Sequence, residues 1–329
     1  MNSKKVFISG CSGFIGFHLT FKFLNNSKNI VYGVDSLNSY YSTKLKQKRL
    51  LIVKKKKNFF FFKKDLSNLN FCKKFFTEHN FDYIYHIAGQ AGVLYSLKNP
   101  KSYSKNNIKA TKNLVWCVKN SSYKIKKFIF TSSSSVYGDQ KKFPLKENYK
   151  LKPRNPYAYS KKKCEDIIIS NFRKRKNLED FVIFRLFTVF GPYGRPDMLL
   201  IKILLNTFYK KVLNIYNYGN YYRDFTYVND VVKILFLSAT VKTKGKIFNL
   251  SGSRPVKLIS FIKKIKNILK KDIKIKYMPR RKAEVLKTHG SNKKLISFFK
   301  FKKFSSLDRS LKETIKWFDS YKNKKDLVV

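Results

Sequence analysis

Acidic residues are scarce in this sequence, where 19 Asp and Glu stand against 72 Lys and Arg and the net charge is +53. The lysines are spread through the whole chain and form no separate basic tail. We therefore interpret them as solvated surface and expect no nucleic-acid partner. The positive field still attracts anions, so the charge balance favours a small anionic ligand.

Cysteines and long apolar runs are also few. The four cysteines are Cys11, Cys72, Cys117 and Cys164, and they form no Cys-x-x-Cys pair and no metal-ligand spacing with a histidine. We expect reduced core thiols in a cytoplasmic protein and no bound metal. No apolar run approaches the ~18 residues that a membrane-spanning helix needs, so we expect no membrane anchor.

Short apolar segments alternate with segments of helical periodicity along the first half of the chain. Strands are predicted at residues 6–9, 30–34, 59–62, 83–87, 128–132 and 181–185. Helices are predicted at residues 14–24, 71–78, 103–120 and 157–173, and a last amphipathic helix carries Leu307, Leu311, Ile315 and Phe318. This alternation indicates right-handed βαβ units. It predicts an α/β fold with a Rossmann-type, doubly wound parallel sheet and a smaller C-terminal domain.

The turn after the first predicted strand is rich in glycine and reads Gly10-Cys-Ser-Gly13-Phe-Ile-Gly16. Between a strand and a helix, the first glycine permits a tight turn, the second a close approach to a pyrophosphate, and the third close packing of helix on strand. The helix N-terminus adds free N–H groups and the positive end of its dipole. We predict a dinucleotide site formed by Gly10, Gly13, Phe14, Ile15 and Gly16.

Asp35 lies nineteen residues beyond Gly16, at the end of the second predicted strand. Its carboxylate can accept hydrogen bonds from both ribose hydroxyls. It would repel a 2′-phosphate, for which Ser36 offers no cation, so the pattern predicts NAD rather than NADP. Asp65, after the third strand, is a candidate to meet the adenine, and a loop or capping role is also open for it.

Tyr157 and Lys161 are four residues apart on a predicted helix, so their side chains lie on one helix face. A nearby ammonium favours the phenolate, which makes Tyr157 a candidate base near neutral pH. Tyr-x-x-x-Lys also arises by chance in a chain rich in both residues, so its position carries the assignment. The helix follows a strand that ends in the hydroxyl-rich segment 131–138, at the sheet edge where ligands bind.

Seven segments together resemble a known family, the extended short-chain dehydrogenase/reductases of the NAD-dependent epimerase/dehydratase group. They are the glycine turn 10–16 and residues 35–41, 86–93, 132–138, 157–161, 187–198 and 223–230. The resemblance runs from about residue 4 to about residue 320. Within the group the chain is most similar to UDP-glucuronate 4-epimerases, on the strength of segments 35–41 and 187–198.

The resemblance implies a role for individual residues. It implies a catalytic hydroxyl on Ser133, with Tyr157 as the base and Lys161 as its partner on the nicotinamide ribose. It also implies that Thr188 and Arg195 lie near the carboxylate of the sugar, and it assigns the UDP phosphates to Arg223 and Arg281.

The resemblance also implies which part of the chain binds each ligand and which reaction is catalysed. Residues 1–186, completed by a segment near 224–250, are expected to bind NAD, and residues 187–329 mainly the UDP-sugar. The reaction expected is epimerisation of UDP-glucuronate at C4 through a 4-keto sugar. Relatives of this kind are commonly cytoplasmic homodimers, and the product serves polysaccharide biosynthesis.

Alternative functions are also consistent with the sequence. One is 4-epimerisation of another UDP-hexose, such as glucose or an N-acetylhexosamine. A dehydratase is disfavoured because 4,6-dehydratases carry Asp-Glu where this chain has Ser134 and Ser135, and UDP-galactose epimerases carry Asn in place of Thr188. A catalytically silent, basic nucleotide- or RNA-binding protein is the alternative from another class.

The sequence departs from the family at one motif near the substrate, because the family's Arg-x-Gly-Asp is Arg281-Lys-Ala-Glu284 here.

Overall fold

The computed structural model describes residues 3–173, 177–281 and 283–328. The strands are β1 Lys4–Ser9, β2 Asn29–Asp35, β3 Phe59–Lys63, β4 Tyr83–His86, β5 Ile125–Ser133, β6 Leu178–Leu186, β7 Thr188–Phe190, β8 Leu213–Tyr216, β9 Tyr222–Tyr227, β10 Ile247–Leu250, β11 Pro255–Lys257 and β12 Ile275–Met278. The α-helices are α1 Phe14–Leu24, α2 Thr43–Lys54, α3 Leu69–Glu78, α4 Val93–Lys98, α5 Pro100–Tyr103, α6 Ala110–Lys119, α7 Pro156–Phe172, α8 Leu199–Phe208, α9 Val228–Leu237, α10 Leu258–Leu269, α11 Lys293–Phe299 and α12 Leu307–Ser320.

Seven parallel strands form the central sheet, in the order β10-β6-β5-β4-β1-β2-β3. Side chains alternate between its two faces, so Val6 and Ile8 of β1 belong to one buried cluster and Phe7 to another. Helices α1, α2 and α9 pack together, as do α3, α6 and α7. The predicted doubly wound α/β fold is therefore confirmed, and its topological switch lies between β1 and β4, where such sheets bind ligands.

The C-terminal part adds two small sheets to this frame. One has the order β11-β9-β7 and the other pairs β12 with β8. Strand β10, at Ile247–Leu250, returns to the central sheet and pairs with β6 at its edge. Within the described ranges, no helix is long and apolar enough to cross a membrane.

Helices α4 and α8 to α11 were not predicted, and two further helical features differ from the prediction near the site. Helix α2 was not predicted, because its Lys-rich sequence has little apolar periodicity; it begins after Ser42, whose side chain accepts a hydrogen bond from the Leu45 N–H. The predicted helix 103–120 is not uniform either, since Ser104–Lys109 is a π-helical segment between α5 and α6. Such segments widen a helix locally and often occur at functional sites.

Candidate active site

A cleft of about 870 Å³ runs along the carboxyl edge of the central sheet, with residues of the C-terminal part on its far side. Almost all residues predicted for the site line it, namely Gly10, Gly13, Phe14, Ile15, Gly16, Asp35, Asp65, Ser133, Tyr157, Lys161, Thr188, Arg195 and Arg223. Arg281 is not among the lining residues, although Ala283 and Glu284 are. Residues far apart in the chain thus meet in one cleft.

Two glycines of the turn leave no room for a side chain. Gly10 has φ +73°, a region that favours glycine, and its N–H donates to the Val34 carbonyl at 2.7 Å. A Cβ atom at Gly16 would collide with the Gly10 carbonyl oxygen. Helix α1 begins directly after Gly13 with no side-chain cap, so its first N–H groups face the cleft and fit a pyrophosphate.

Asp35 is held in place by the backbone. Its Oδ2 accepts from the Ser12 N–H at 3.0 Å and its Oδ1 from the Leu37 N–H at 2.8 Å. Each carboxylate oxygen has further acceptor capacity, so Asp35 fits the ribose of a dinucleotide. Lys46, which the sequence reasoning missed, lines the same end of the cleft, and its burial lowers its pKa to about 8.

Asp65 lies at the adenine end predicted for the site but is engaged in local contacts. Its carboxylate accepts from the Ser67 N–H at 2.9 Å and pairs with Lys105 at 3.1 Å. Burial acts to raise the pKa of Asp65, and these contacts outweigh it and lower the pKa below its usual value. Asp65 therefore caps a local turn, and its contact with the adenine stays a prediction.

The predicted catalytic side chains converge at the end of β5 and the start of α7. Lys161 is almost fully buried, and its Nζ donates to the Thr131 carbonyl at 2.8 Å. Tyr157 lies one turn earlier, with its ring 6.0 Å from that of Tyr103. Ser133 accepts from the Ser135 N–H at 3.2 Å. A phenol, an ammonium and a hydroxyl therefore border one space beside the glycine turn, a set suited to proton transfer.

Asn107 in the π-helical segment is a further contributor that sequence reasoning missed. Its Oδ1 accepts from the Gln90 N–H at 2.6 Å, and its Nδ2 donates to the Gln90 carbonyl and to the Ser160 Oγ at 2.8 Å. It thereby ties the loop after β4 to helix α7. No periodic pattern signals it, because the π-helical turn breaks the 3.6-residue repeat.

A buried ion pair fixes the end of β5 against α7. Arg185 donates from Nε and Nη2 to the two oxygens of Glu165, at 3.0 and 2.8 Å. The Ser132 hydroxyl donates to the same carboxylate at 2.5 Å. Because each charged group is satisfied, the network specifies the position of Ser133 next to the helix that carries Tyr157.

At the end of the cleft beside Tyr40, Arg195 is paired within the chain. Its Nε and Nη2 donate to Asp197, and the Tyr40 hydroxyl donates to the same carboxylate at 3.0 Å. A guanidinium has five N–H donors, so further donors remain on Nη1 and Nη2. Thr188 begins β7 on the same wall. This end of the cleft can therefore bind an anionic group.

Arg223 and Arg281 share a single acid. Arg223 Nη2 lies 3.4 Å and Arg281 Nη1 3.5 Å from the carboxylate of Glu284. The Arg281 guanidinium also stacks on the Tyr216 ring. Glu284, which stands where the family has Asp, thus places its carboxylate between the two arginines predicted for the UDP phosphates.

The cleft is more positive than negative, as an anionic ligand requires. Its basic lining residues are Lys46, Lys64, Lys98, Arg154, Lys161, Arg195, Lys202 and Arg223, and its acidic ones Asp35, Asp65, Asp197 and Glu284. All four cysteines are buried and free, and no cluster of three potential ligands for a metal ion occurs in the described part of the chain. The site is that of a dinucleotide and an anionic substrate.

Comparison with known proteins agrees with this geometry. Residues 7–314 match the GDP-mannose 4,6 dehydratase family. A UDP-glucuronate 4-epimerase of Thermodesulfobacterium geofontis is 33% identical, over 94% of each chain. The crystal structure of a UDP-glucuronic acid 4-epimerase from Bacillus cereus, in complex with UDP-glucuronic acid and NAD, superposes with a TM-score of 0.89 at 28% identity, over 96% of this chain and 99% of that one. A UDP-N-acetylglucosamine 4-epimerase from Methanobrevibacter ruminantium is similar at a TM-score of 0.87 and 31% identity, over 97% and 99%.

Proposed function

The chain belongs to the GDP-mannose 4,6-dehydratase family, within the NAD-dependent epimerase/dehydratase group of extended short-chain dehydrogenase/reductases, and we propose that it is a UDP-glucuronate 4-epimerase. It interconverts UDP-glucuronate and UDP-galacturonate through a transient 4-keto sugar. One observation carries the proposal. The cleft is lined by the glycine turn, by Tyr157 and Ser133, and by Arg195 and Thr188.

The 10–16 turn and Asp35 would hold NAD, which when bound would accept the hydride from C4 of the sugar and return it to the opposite face of C4 after the 4-keto sugar has turned in the cleft. Tyr157 removes the proton from the O4 hydroxyl as C4 is oxidised, and returns it when the carbonyl is reduced. Ser133 hydrogen-bonds O4 through both steps. Lys161, held by the Thr131 carbonyl at 2.8 Å, would hold the nicotinamide ribose beside Tyr157.

A β-keto acid loses CO₂ readily, so the carboxylate of the 4-keto sugar has to be held. Arg195 can donate two parallel hydrogen bonds to a carboxylate, and the Thr188 hydroxyl can add a third. Holding the C5–CO₂ bond out of alignment with the carbonyl would suppress decarboxylation. Ser134 and Ser135, at positions where dehydratases carry Asp-Glu, offer no carboxyl group to eliminate water.

The direct test incubates the purified protein with UDP-glucuronate and follows the sugar signals by NMR. The expected product is UDP-galacturonate, with no UDP-pentose from loss of CO₂ and no dehydrated sugar. Tyr157→Phe serves as the inactive control. An unchanged spectrum with wild-type protein that retains NAD would contradict the proposal.

A second candidate is 4-epimerisation of a UDP-N-acetylhexosamine, which the similarity to the Methanobrevibacter ruminantium enzyme supports. The same assay separates the two when UDP-glucuronate and UDP-N-acetylglucosamine compete at equal concentration. The non-catalytic alternative predicts neither product, no retained NAD and a salt-dependent gel shift with RNA.

The remaining proposals concern setting and assembly. Residues 1–186 and 224–250 would hold NAD and residues 187–329 mainly the UDP-sugar. The protein would act in the cytoplasm, as its free buried cysteines suggest, as a homodimer, and supply a precursor for polysaccharide biosynthesis. Light scattering coupled to size exclusion tests the dimer, for which the expected mass is twice that of the 38.9 kDa chain.

A further inference from the structure

Arg49, on helix α2, carries a fully buried guanidinium. Among the described residues it makes no ion pair with a carboxylate. Its Nη1 and Nη2 donate instead to backbone carbonyls and a phenol, and its Nε has no hydrogen-bond partner among them. A buried charge is costly unless it is extensively hydrogen-bonded. The arrangement therefore holds neighbouring groups in one geometry at some cost in stability.

The guanidinium joins two loops that border the cleft from different parts of the chain. Its Nη1 donates to the Ser12 carbonyl at 3.0 Å, inside the glycine turn. Its Nη2 donates to the Tyr193 carbonyl at 2.6 Å, two residues before Arg195. The N–H of the same residue, Ser12, donates to Asp35. Arg49 therefore contacts a residue whose other backbone group holds the carboxylate predicted to bind the ribose.

The loop that Arg49 contacts needs external support. Tyr193 has φ +55°, an unusual conformation for a residue with a side chain. The loop is further held against α1, where His18 Nε2 lies 2.9 Å from the Pro192 carbonyl and the rings of Phe17 and Tyr193 are 5.0 Å apart. Because the Arg49 hydrogen bond fixes the Tyr193 carbonyl, it also limits where the Arg195 backbone can lie.

We propose that Arg49 is a positioning residue that couples the cofactor turn to the loop carrying Arg195. Order imposed on the glycine turn by NAD is passed through the Ser12 carbonyl and the guanidinium to Tyr193. The anionic end of the sugar then meets an Arg195 that is already placed. The part of this inference that concerns the sugar rests on the proposed function, whereas the coupling of the two loops does not.

Hydrogen exchange measures the coupling without a substrate. In the wild-type protein, NAD should slow amide exchange in segment 191–197 as well as in the 10–16 turn, compared with NAD-stripped protein. In Arg49→Lys the shorter side chain carries one nitrogen in place of the two, Nη1 and Nη2, that bind the two carbonyls. The link between the loops should be lost, so NAD should protect only the turn. Lys44→Met, which removes an exposed charge from the same helix, should behave as wild type. Equal protection of 191–197 in Arg49→Lys and wild type, or none in wild type, overturns the coupling.

A second measurement compares ligands on the NAD-loaded protein by calorimetry. Arg49→Lys should weaken UDP-glucuronate binding by about tenfold, within the usual range of couplings between sites. The affinity for UDP, which lacks the sugar, should stay within about twofold of the wild-type value. A general loss of structure would weaken both ligands alike and so overturn this part. If wild type binds UDP-glucuronate no better than UDP, the proposed function fails, and the exchange experiment still judges Arg49.

Discussion

Arg195 and Asp197 form a forked ion pair inside the cleft, with Nε–Oδ1 at 2.9 Å and Nη2–Oδ2 at 2.5 Å. The pair keeps the guanidinium charged and orients it. Burial by itself would lower the pKa of Arg195, and the Asp197 carboxylate outweighs this and raises it. The carboxylate also offsets part of the charge that a substrate would meet. Any test of Arg195 therefore has to account for Asp197.

Replacing Arg195 by Ala should lower kcat/KM for UDP-glucuronate. The expected loss of transition-state stabilisation is roughly 2–5 kcal/mol, the scale for breaking a buried charge pair. Activity on UDP-glucose should fall much less, because that sugar has no carboxylate. The double variant Arg195→Ala/Asp197→Asn is the control, since it leaves no unpaired buried acid. Recovery of UDP-glucuronate activity in the double variant would mean that Arg195 serves only to neutralise Asp197.

Replacing Tyr157 by Phe should lower kcat by at least ~10²-fold, the usual scale for a positioned acid–base group. The ring and its packing against Tyr103 are retained, so the protein should stay folded and keep its NAD. Kinetics and cofactor content of the same preparation provide the check. Near-normal turnover would remove the phenol from the mechanism.

Replacing Asp35 by Asn should reduce the ratio of the affinity for NAD to the affinity for NADP by roughly tenfold, the scale of one hydrogen bond to a charged group. The variant loses the negative charge that binds ribose hydroxyls and repels a 2′-phosphate, while an oxygen remains to accept from Leu37 or Ser12. Calorimetry with both dinucleotides measures the ratio. A wild-type preference for NADP would show that the role assigned to Asp35 is wrong.

Asp224, in the core beneath the cleft, makes stability depend on pH. Burial raises its pKa from 3.8 to about 6, although it accepts from the Gly290 N–H at 3.0 Å. The folded protein thus binds this proton more tightly than the unfolded chain, and its stabilising contribution is lost as the pH rises from about 4 to about 6.

The variant Asp224→Asn has no proton to lose. Its free energy of unfolding relative to wild type should therefore increase with pH across that window, by up to about 3 kcal/mol, and then level off above pH 6. Urea denaturation of both proteins at pH 4.5, 6 and 7.5 measures the difference. A difference that is the same at all three pH values would show that Asp224 does not titrate in this range.

Local features of the sequence were sufficient for six strands of the central sheet and for the glycine turn, Asp35, Tyr157 and Lys161 in the cleft. The strand–glycine–helix order around Gly10 and Gly16 depends on backbone freedom within a few residues, and Asp35 follows at the end of the next strand. The Tyr157 and Lys161 spacing likewise places both side chains on one helix face wherever that helix lies. Each of these features is set by short-range sterics and periodicity.

The rest depended on contacts between distant segments. Helix α2 has weak periodicity of its own and packs into the core through Leu45, Leu50 and Val53. Its Arg49 binds Ser12 and Tyr193, which are 37 and 144 residues away along the chain. The π-helical turn around Asn107 is likewise stabilised by Gln90 and Ser160. The sequence by itself determined the first six strands, the glycine turn and the candidate catalytic side chains. Only the tertiary structure decided that Arg223 pairs with Glu284, 61 residues away, because a charge pairs with whatever carboxylate the fold brings within reach.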